Sequence, residues 1–306
     1  MQTDNVSEVF LIKTADRATG VKRLFDEFDL NNFRSKRVAL KANFNSADPF
    51  PASTHPDTLR TIVEILKNAG TDKITLAERS GMGVTRLVLQ ALGVFDLAEE
   101  LGFNVIVSDE LGKDGWVNFT HDGTHWSQGF YIAKCFVDAD VVVQTCCLKT
   151  HRFGGHFTLS LKNSVGLVAR RVPGQLHDYM SELHTSRFQR HMIAEINKQY
   201  NTDVIVMDGI RAFITGGPER GEIVEPNLLL ASKDRVALDA VGVALLKIYG
   251  ATGNIEENKI FELDQIRRAA ELEIGAKSVG EIQLTPLNND SKADITKIQK
   301  VFAAEV

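Results

Sequence analysis

The sequence predicts an α/β protein in which mostly parallel sheets are flanked by helices and two lobes have a pocket between them. Short β-branched runs alternate with segments of helical period, and this alternation is typical of βαβ units. At 306 residues, the chain is long enough for one large domain or two lobes. A polar stretch at 197–203 predicts a boundary between an N-terminal lobe, residues 1–199, and a C-terminal lobe, residues 200–306.

Seven short segments have the composition of strands. They are rich in β-branched and other apolar residues, and several end in a polar or charged residue. In chain order, the predicted strands are 8–14, 37–44, 73–79, 104–110, 140–149, 203–210 and 227–234. Aromatic residues alternating between turn residues predict an additional hairpin over 116–136.

Helices are predicted between the strands from apolar residues spaced three or four apart. In 55–68, Pro56 suits a first turn, and one face carries Leu59, Ile62, Val63 and Leu66. The same periodicity predicts helices over 85–101, 235–249 and 257–273. Ser232 or Asp234 is suited to cap the helix that begins at Arg235.

Composition excludes several classes of protein. The net charge of −5 argues against nucleic acid as a partner of the whole molecule. No uncharged apolar run approaches the ~20 residues of a membrane span, so we expect a cytoplasmic protein without a membrane partner. Cys135, Cys146 and Cys147 do not form a disulfide framework or a recognised iron–sulfur motif. Cys146 and Cys147 are predicted to be buried structural thiols.

A basic, histidine-rich segment extends from Lys149 to His191. It holds five of the eight histidines, and its seven lysines and arginines face only Asp178 and Glu182. The segment follows the predicted strand 140–149, and ligands in open α/β sheets lie beyond the carboxyl ends of strands. We therefore expect an anionic small molecule to bind here.

Within this segment, His151, Lys162 and His177 are the predicted catalytic residues. An imidazole near neutral pH can exchange a proton, and a lysine there could bind phosphate, form a Schiff base or carry a covalent cofactor. The predicted ligand contacts around them are Lys149, Gly155, Asn163 and Gly166. His184 and His191 are predicted to have surface or structural roles, and His156 is left open.

Other strand ends supply further predicted ligand contacts. Lys41 and Asn43 close the strand 37–44 and are expected at the same sheet edge as His151, although Lys41 could instead protect that edge. Ser80 precedes a helix and could help to bind an anion. Asp208 precedes a tight Gly-Gly-Pro turn that contains Gly217. This loop could approach a ligand, or it could be an ordinary turn.

The motifs at these positions resemble the family described as domain of unknown function 362. They are Lys-x-Asn at 41–43, Thr-His-Pro at 54–56, Lys-Thr-His at 149–151, Leu-Lys-Asn-x-x-Gly at 161–166, His177, Asp-Gly-Ile at 208–210, Gly-Gly-Pro-x-x-Gly at 216–221 and Ser-x-Asp-x-Val-Ala-x-Asp-Ala at 232–240. The resemblance covers residues 8–275, which could form a single domain. Many relatives carry ferredoxin-type cysteine clusters, and this chain has none.

The order of His151, Lys162 and His177 is also similar, more remotely, to the catalytic subunit of nickel-pincer lactate racemases. That resemblance implies a nucleotide-derived cofactor tethered to Lys162, a nickel or other divalent metal bound by His177, and His151 as the acid/base. The racemases have a second acid/base histidine after an earlier strand. This chain reads ERSGMGVTR at 78–86 and has no histidine there.

The function expected from the sequence is therefore an isomerase or oxidoreductase that acts on an anionic substrate or nucleotide-like cofactor, with metal-assisted proton or hydride transfer. The alternative is a non-catalytic phosphate- or nucleotide-binding protein, or the partner of an iron–sulfur redox protein. RNA binding is disfavoured because few aromatic residues interrupt the basic segment.

Overall fold

The structure is a computed structural model that describes residues 6–153 and 156–305. Gly155, one of the predicted ligand contacts, lies outside the described residues. Within the part of the chain that the structure describes, no helix is both long and apolar enough to cross a membrane.

Nine of the twelve strands in the described residues match the predicted runs and hairpin, whereas the strands at 156–157, 223–224 and 282–286 were not predicted. In chain order the strands are β1 Ser7–Lys13, β2 Arg37–Lys41, β3 Lys73–Glu78, β4 Asn104–Val107, β5 Trp116–Phe119, β6 Phe130–Ala133, β7 Val141–His151, β8 His156–Phe157, β9 Val204–Phe213, β10 Ile223–Val224, β11 Leu228–Ser232 and β12 Ile282–Pro286. The predicted hairpin is confirmed, because β5 and β6 form a separate antiparallel pair.

The helices follow the strands in the alternation that the sequence predicts. They are α1 Arg17–Phe25, α2 Pro56–Asn68, α3 Thr85–Ala91, α4 Val94–Leu101, α5 Lys134–Val137, α6 Ser160–Asn163, α7 Tyr179–Thr185, α8 Gln189–Ile196, α9 Arg235–Ile248, α10 Asn254–Glu257, α11 Asp264–Glu271 and α12 Lys292–Glu305. Asp234 caps α9, since its Oδ1 accepts hydrogen bonds from the amides of Val236 and Ala237.

Ten strands form one mixed sheet in the described residues. The main order is β12-β1-β11-β9-β7-β2-β3-β4, with β8 paired to β7 and β10 paired to β9. In this sheet order, the adjacent strands β9, β7, β2, β3 and β4 are all parallel to one another, and β11 is antiparallel to both of its neighbours. The α/β class with a mostly parallel sheet is therefore confirmed. The expected boundary near residue 200 stays a prediction.

Apolar clusters cover both faces of this sheet. On β9, Val206 packs with α1 and α2, whereas its neighbour Met207 packs with α9 on the opposite face, as strand alternation requires. A third cluster joins the β5–β6 hairpin to α7 and α8 and includes Trp126, which is 1% exposed. With both faces covered, the carboxyl ends of the parallel strands are left as the edge where a site can form.

Two predicted helices differ from the structure. The helix expected over 85–101 is divided into α3 and α4 by Gly93, whose φ of +68° lies in the left-handed region that glycine adopts without strain. The helix expected over 257–273 is reduced to α11, preceded by a short 3-10 turn at Ile260–Glu262. In both places the apolar residues keep their helical spacing across the break, so this spacing alone does not predict where the helix ends.

Candidate anion-binding cavity

A cavity of about 350 Å³ lies at the carboxyl edge of the parallel strands. Lys41 ends β2, Glu78 ends β3 and His151 ends β7, and all three side chains line the cavity. Lys162, on the single turn of α6, lines it as well. The structure thus brings together seven of the residues predicted from the sequence, namely Lys41, Asn43, Lys149, His151, Lys162, Asn163 and Gly166.

Lys41 forms a buried ion pair with Glu78. Its Nζ lies 2.7 Å and 2.9 Å from the two carboxylate oxygens and 3.2 Å from Oδ1 of Asn163. Burial lowers the pKa of Lys41, while the charge of Glu78 acts in the opposite direction. The carboxylate also accepts the backbone amides of Phe44 and Arg79. The negative charge of Glu78 is therefore fully engaged by groups of the protein.

Lys149 and Arg79 bring positive charge to the cavity without a carboxylate partner. The ammonium of Lys149 donates to the carbonyl of Ala52, and burial lowers its pKa. The guanidinium of Arg79 donates to the carbonyls of Val168 and Val165 at 2.8 Å and 2.9 Å, and burial lowers its pKa. Among the described residues, no carboxylate lies within salt-bridge distance of either side chain. A bound anion would supply the missing negative charge.

Lys162 and His151 are in direct contact inside the cavity. Lys162 Nζ lies 2.6 Å from His151 Nε2, and His151 Nδ1 lies 3.2 Å from the carbonyl oxygen of Phe153. Because a carbonyl can only accept, Nδ1 carries the ring proton and Nε2 is left as the acceptor. Burial and the charges of Lys162 and Arg190 lower the pKa of His151 to about 2. The imidazole is therefore neutral, and its Nε2 can accept a hydrogen bond from Lys162.

Asp239 holds the short helix that carries Lys162. Its Oδ1 accepts the amide of Ser160 at 2.8 Å, and its Oδ2 accepts the amide of Leu161 at 3.1 Å. The carboxylate thereby binds amides that a single helical turn leaves without internal partners. The structure buries Asp239 completely.

Gly166 permits the backbone to approach the Lys41–Glu78 pair. A Cβ atom at this position would lie 2.4 Å from Oε1 of Glu78 and 2.8 Å from Cε of Lys41. Such separations are too short for non-bonded contacts, so the glycine is required by the protein's own packing. The sequence predicted this residue as a ligand contact, and its role in packing was not foreseen.

His177 is not part of the cavity, contrary to the expectation that it converges with His151 and Lys162. It lies in a separate open depression with Gln175 and Tyr179. Its Nε2 is 2.7 Å from a carboxylate oxygen of Glu182, a residue of α7. Fifteen residues, of which 164–167 form a 3-10 turn, separate the end of α6 from α7, so strand-end placement could not predict where this loop points.

Three other predicted ligand contacts are engaged by the protein itself. Ser80 donates its hydroxyl to the carbonyl of Phe44 at 2.6 Å. Asp208 accepts from Arg17 at 2.8 Å and from Thr58 at 2.7 Å, which anchors the first turn of α2. A Cβ at Gly217 would lie 2.0 Å from the carbonyl oxygen of Thr150. Contacts within the protein therefore explain the presence of these three residues, and no ligand is needed to explain them.

Among the lining residues that were not assigned to the site from the sequence are His184 and Arg79. His184 was predicted to have a surface or structural role, yet it lines the cavity from α7 and its Nδ1 lies 2.6 Å from the carbonyl of Met180. Arg79 follows the last residue of β3, so the strand-end rule that selected Lys41 could have found it. His184 has no such signal, because a helix distant in sequence brings it to the cavity.

The donor set does not match a nickel-pincer site. Within 6–153 and 156–305, no group of three or more His, Cys, Asp or Glu side chains is placed to hold a metal ion. Lys162 lines the cavity, whereas His177 lies in the other depression. The tethering lysine and the nickel ligand implied by the racemase resemblance are therefore not brought to one site.

Two known proteins that this chain resembles match it over part of their length. The curated Thylakoid-associated protein sll1697 of Synechocystis is 27% identical over 218 residues, which are 71% of this chain and 64% of that protein. The lactate racemase apoprotein of Thermoanaerobacterium thermosaccharolyticum has 19% identity and a TM-score of 0.45, covering 78% of this chain and 57% of that one. The chain thus spans less than two thirds of the length of either protein.

A family match covers most of the chain. The family described as Domain of unknown function (DUF362) matches residues 38–244, which include β2, β7, α6 and the greater part of α9. Every residue described above as lining the cavity lies inside this range. The resemblance read from the motifs is confirmed, and this chain belongs to the DUF362 family.

Proposed function

We propose that this chain is an enzyme whose cavity binds a small anionic molecule and transfers a proton to or from it through His151 and Lys162. The observation that carries the proposal is the direct contact between these two side chains, 2.6 Å apart, in a cavity where Lys149 and Arg79 have no carboxylate partner among the described residues. The cavity volume of about 350 Å³ suits a small substrate.

The anionic character of the substrate is inferred from the balance of charge. Glu78 forms an ion pair with Lys41, so Lys149 and Arg79, which have no carboxylate within salt-bridge distance among the described residues, are left to attract a negative group. A carboxylate or phosphate would accept hydrogen bonds from them and would offset part of the cost of burying these charges. A neutral ligand would leave that cost in place.

Proton transfer is inferred from the state of the imidazole. The fixed tautomer of His151 leaves Nε2 as a base, and the adjacent amine of Lys162 can deliver or receive a proton. A non-catalytic anion carrier is the second candidate. It would need the cations but would gain nothing from this contact, so the two functions differ in what they require of His151.

Calorimetric titration with inorganic phosphate and with pyruvate tests the binding step. We expect both anions to bind the wild type, and we expect Lys149→Met to weaken the affinity by about tenfold or more, since a lost charged hydrogen bond is worth ~1.5–3 kcal/mol. The matched control is Lys134→Met, because Lys134 is half exposed and pairs only with Asp138. Absence of binding, or equal affinity in both variants, would overturn the proposal.

Deuterium exchange tests the catalytic step. In D2O, we expect the wild type to accelerate exchange of the pyruvate methyl hydrogens, as followed by proton NMR. His151→Gln should reduce the rate by about a hundredfold, within the range of a lost general base, while phosphate affinity is retained. Binding without exchange in the wild type would favour the carrier.

A further inference from the structure

We propose that Lys162 is a covalent nucleophile, whose amine forms an imine with the carbonyl group of a small aldehyde or ketone that also carries a carboxylate or phosphate. This inference rests on the proposed function, because the same cavity must bind the anionic group. It goes further by naming the reacting nitrogen and the class of substrate.

The geometry sets Lys162 apart from the other cavity lysines. Lys41 is paired with Glu78, and the ammonium of Lys149 donates to the carbonyl of Ala52. Among the described residues, the polar contact of Lys162 Nζ is with an imidazole nitrogen of His151 that has no proton of its own. In the part of the chain that the structure describes, it has no carboxylate within salt-bridge distance. No negatively charged group among the described residues therefore holds Lys162 in its charged form.

The surrounding charges favour the neutral amine. Burial, followed by the nearby charges of Arg190 and Lys149, lowers the pKa of Lys162 well below its ordinary value. Arg190 is itself buried, and one guanidinium nitrogen, Nη1, has no hydrogen-bond partner among the described residues. A lysine desolvated beside other cations is the usual arrangement for amine nucleophiles that attack carbonyl groups.

The reaction is balanced without an added oxidant or reductant. The lone pair of Lys162 Nζ attacks the carbonyl carbon, and the carbonyl π bond breaks to place its electrons on oxygen. His151 Nε2 takes a proton from the nitrogen and delivers it to that oxygen. The second proton passes from the same nitrogen through His151 Nε2 to the hydroxyl group, the C–O bond breaks to release water, and the nitrogen lone pair forms the C=N bond. Hydrolysis reverses each step and restores the free amine.

The position of the anionic group follows from the remaining cations. Lys149 and Arg79 line the same cavity as Lys162 and can bind a carboxylate or phosphate while the carbonyl faces the amine. Asn163 also lines the cavity and accepts from Lys41 through Oδ1. A substrate with an anionic group close to its carbonyl, such as a 2-oxo acid or a phosphorylated aldehyde, matches this arrangement.

Reductive trapping tests the inference. The full chain is incubated with pyruvate or glycolaldehyde phosphate, reduced with borohydride, and analysed by intact mass and peptide mapping. We expect one adduct per chain, located on Lys162, with at least one of the two compounds, and about tenfold less with acetone, which has no anionic group to bind. The compound trapped distinguishes the carboxylate from the phosphate class.

Variants separate this inference from the proposed function. Lys162→Arg should abolish the adduct, and His151→Gln should slow its formation, while Lys134→Met should leave it unchanged. If phosphate and pyruvate bind as proposed but no adduct maps to Lys162, the nucleophile inference is overturned and anion binding stands. If neither anion binds, both proposals are lost. Peptide mapping of the wild type gives the answer even if a variant fails to fold.

Discussion

The Lys41–Glu78 ion pair is almost completely shielded from solvent, with both side chains 2% exposed. Removing one partner of a buried pair leaves an uncompensated charge, which costs more than the pair itself contributes. We expect Glu78→Gln to lower the free energy of unfolding by about 3–5 kcal/mol, as measured by urea denaturation.

Two control variants make this prediction specific. Glu100→Gln disrupts the exposed pair with Arg60 and should change stability far less, since water already screens that pair. The double variant Lys41→Met/Glu78→Leu removes both buried charges and should recover part of the loss. If Glu78→Gln were as mild as Glu100→Gln, the pair would not be buried as described.

Gly166 gives a second prediction at the level of one residue. Its missing side chain leaves room for the Lys41–Glu78 pair, and an added methyl would meet Glu78 Oε1 at 2.4 Å. We expect Gly166→Ala to destabilise the protein by about 1–3 kcal/mol and to weaken phosphate binding. Gly112→Ala is the matched control, because no atom lies within 4 Å of a Cβ built there. Equal thermal midpoints for the two variants would contradict the packing.

At the level of elements, the single turn α6 depends on a carboxylate from α9. Asp239 is fully buried, and burial raises its pKa from 3.8 to about 7. Between these values the folded protein retains a proton that the unfolded chain has lost. The stabilising contribution of this proton is complete below pH 3.8 and is lost as the pH rises to about 7.

Asp239→Asn tests this linkage, because the amide does not titrate. We expect the free energy of unfolding of the wild type, relative to the variant, to fall by a few kcal/mol between about pH 5 and about pH 8. Urea denaturation of both proteins at the two pH values measures the difference. A difference that stayed constant with pH would show that Asp239 has the same charge in the folded and unfolded states.

The elements that the sequence predicted are those whose signal is local. Strand bounds and the strand-end positions of Lys41 and His151 followed from apolar runs and the geometry of parallel sheets. The break at Gly93 was missed, because apolar periodicity continues across it. The cavity position of His184 and the separate position of His177 depend on the path of an irregular loop, which residue pattern does not determine.

At the level of the whole molecule, the sheet interleaves the two halves of the chain. β9 and β11 come from beyond residue 200, yet β9 pairs with β7 and β11 pairs with β1. α12 closes one face of the sheet by burying Ile298 in the cluster around α9, outside the range of the family match. Both expected lobes therefore contribute strands to a single sheet.

Because one sheet contains strands from both halves of the chain, we expect a destabilising substitution at one end to lower the stability of the whole protein. Ile298 is fully buried, so Ile298→Ala should cost about 2–4 kcal/mol through the cavity it leaves. Trp116 and Trp126 lie in a different cluster, in the N-terminal half. We expect the urea midpoint read by tryptophan fluorescence to shift as far as the midpoint read by far-UV circular dichroism. A fluorescence midpoint that did not move would show two lobes that unfold independently, with their boundary near residue 200.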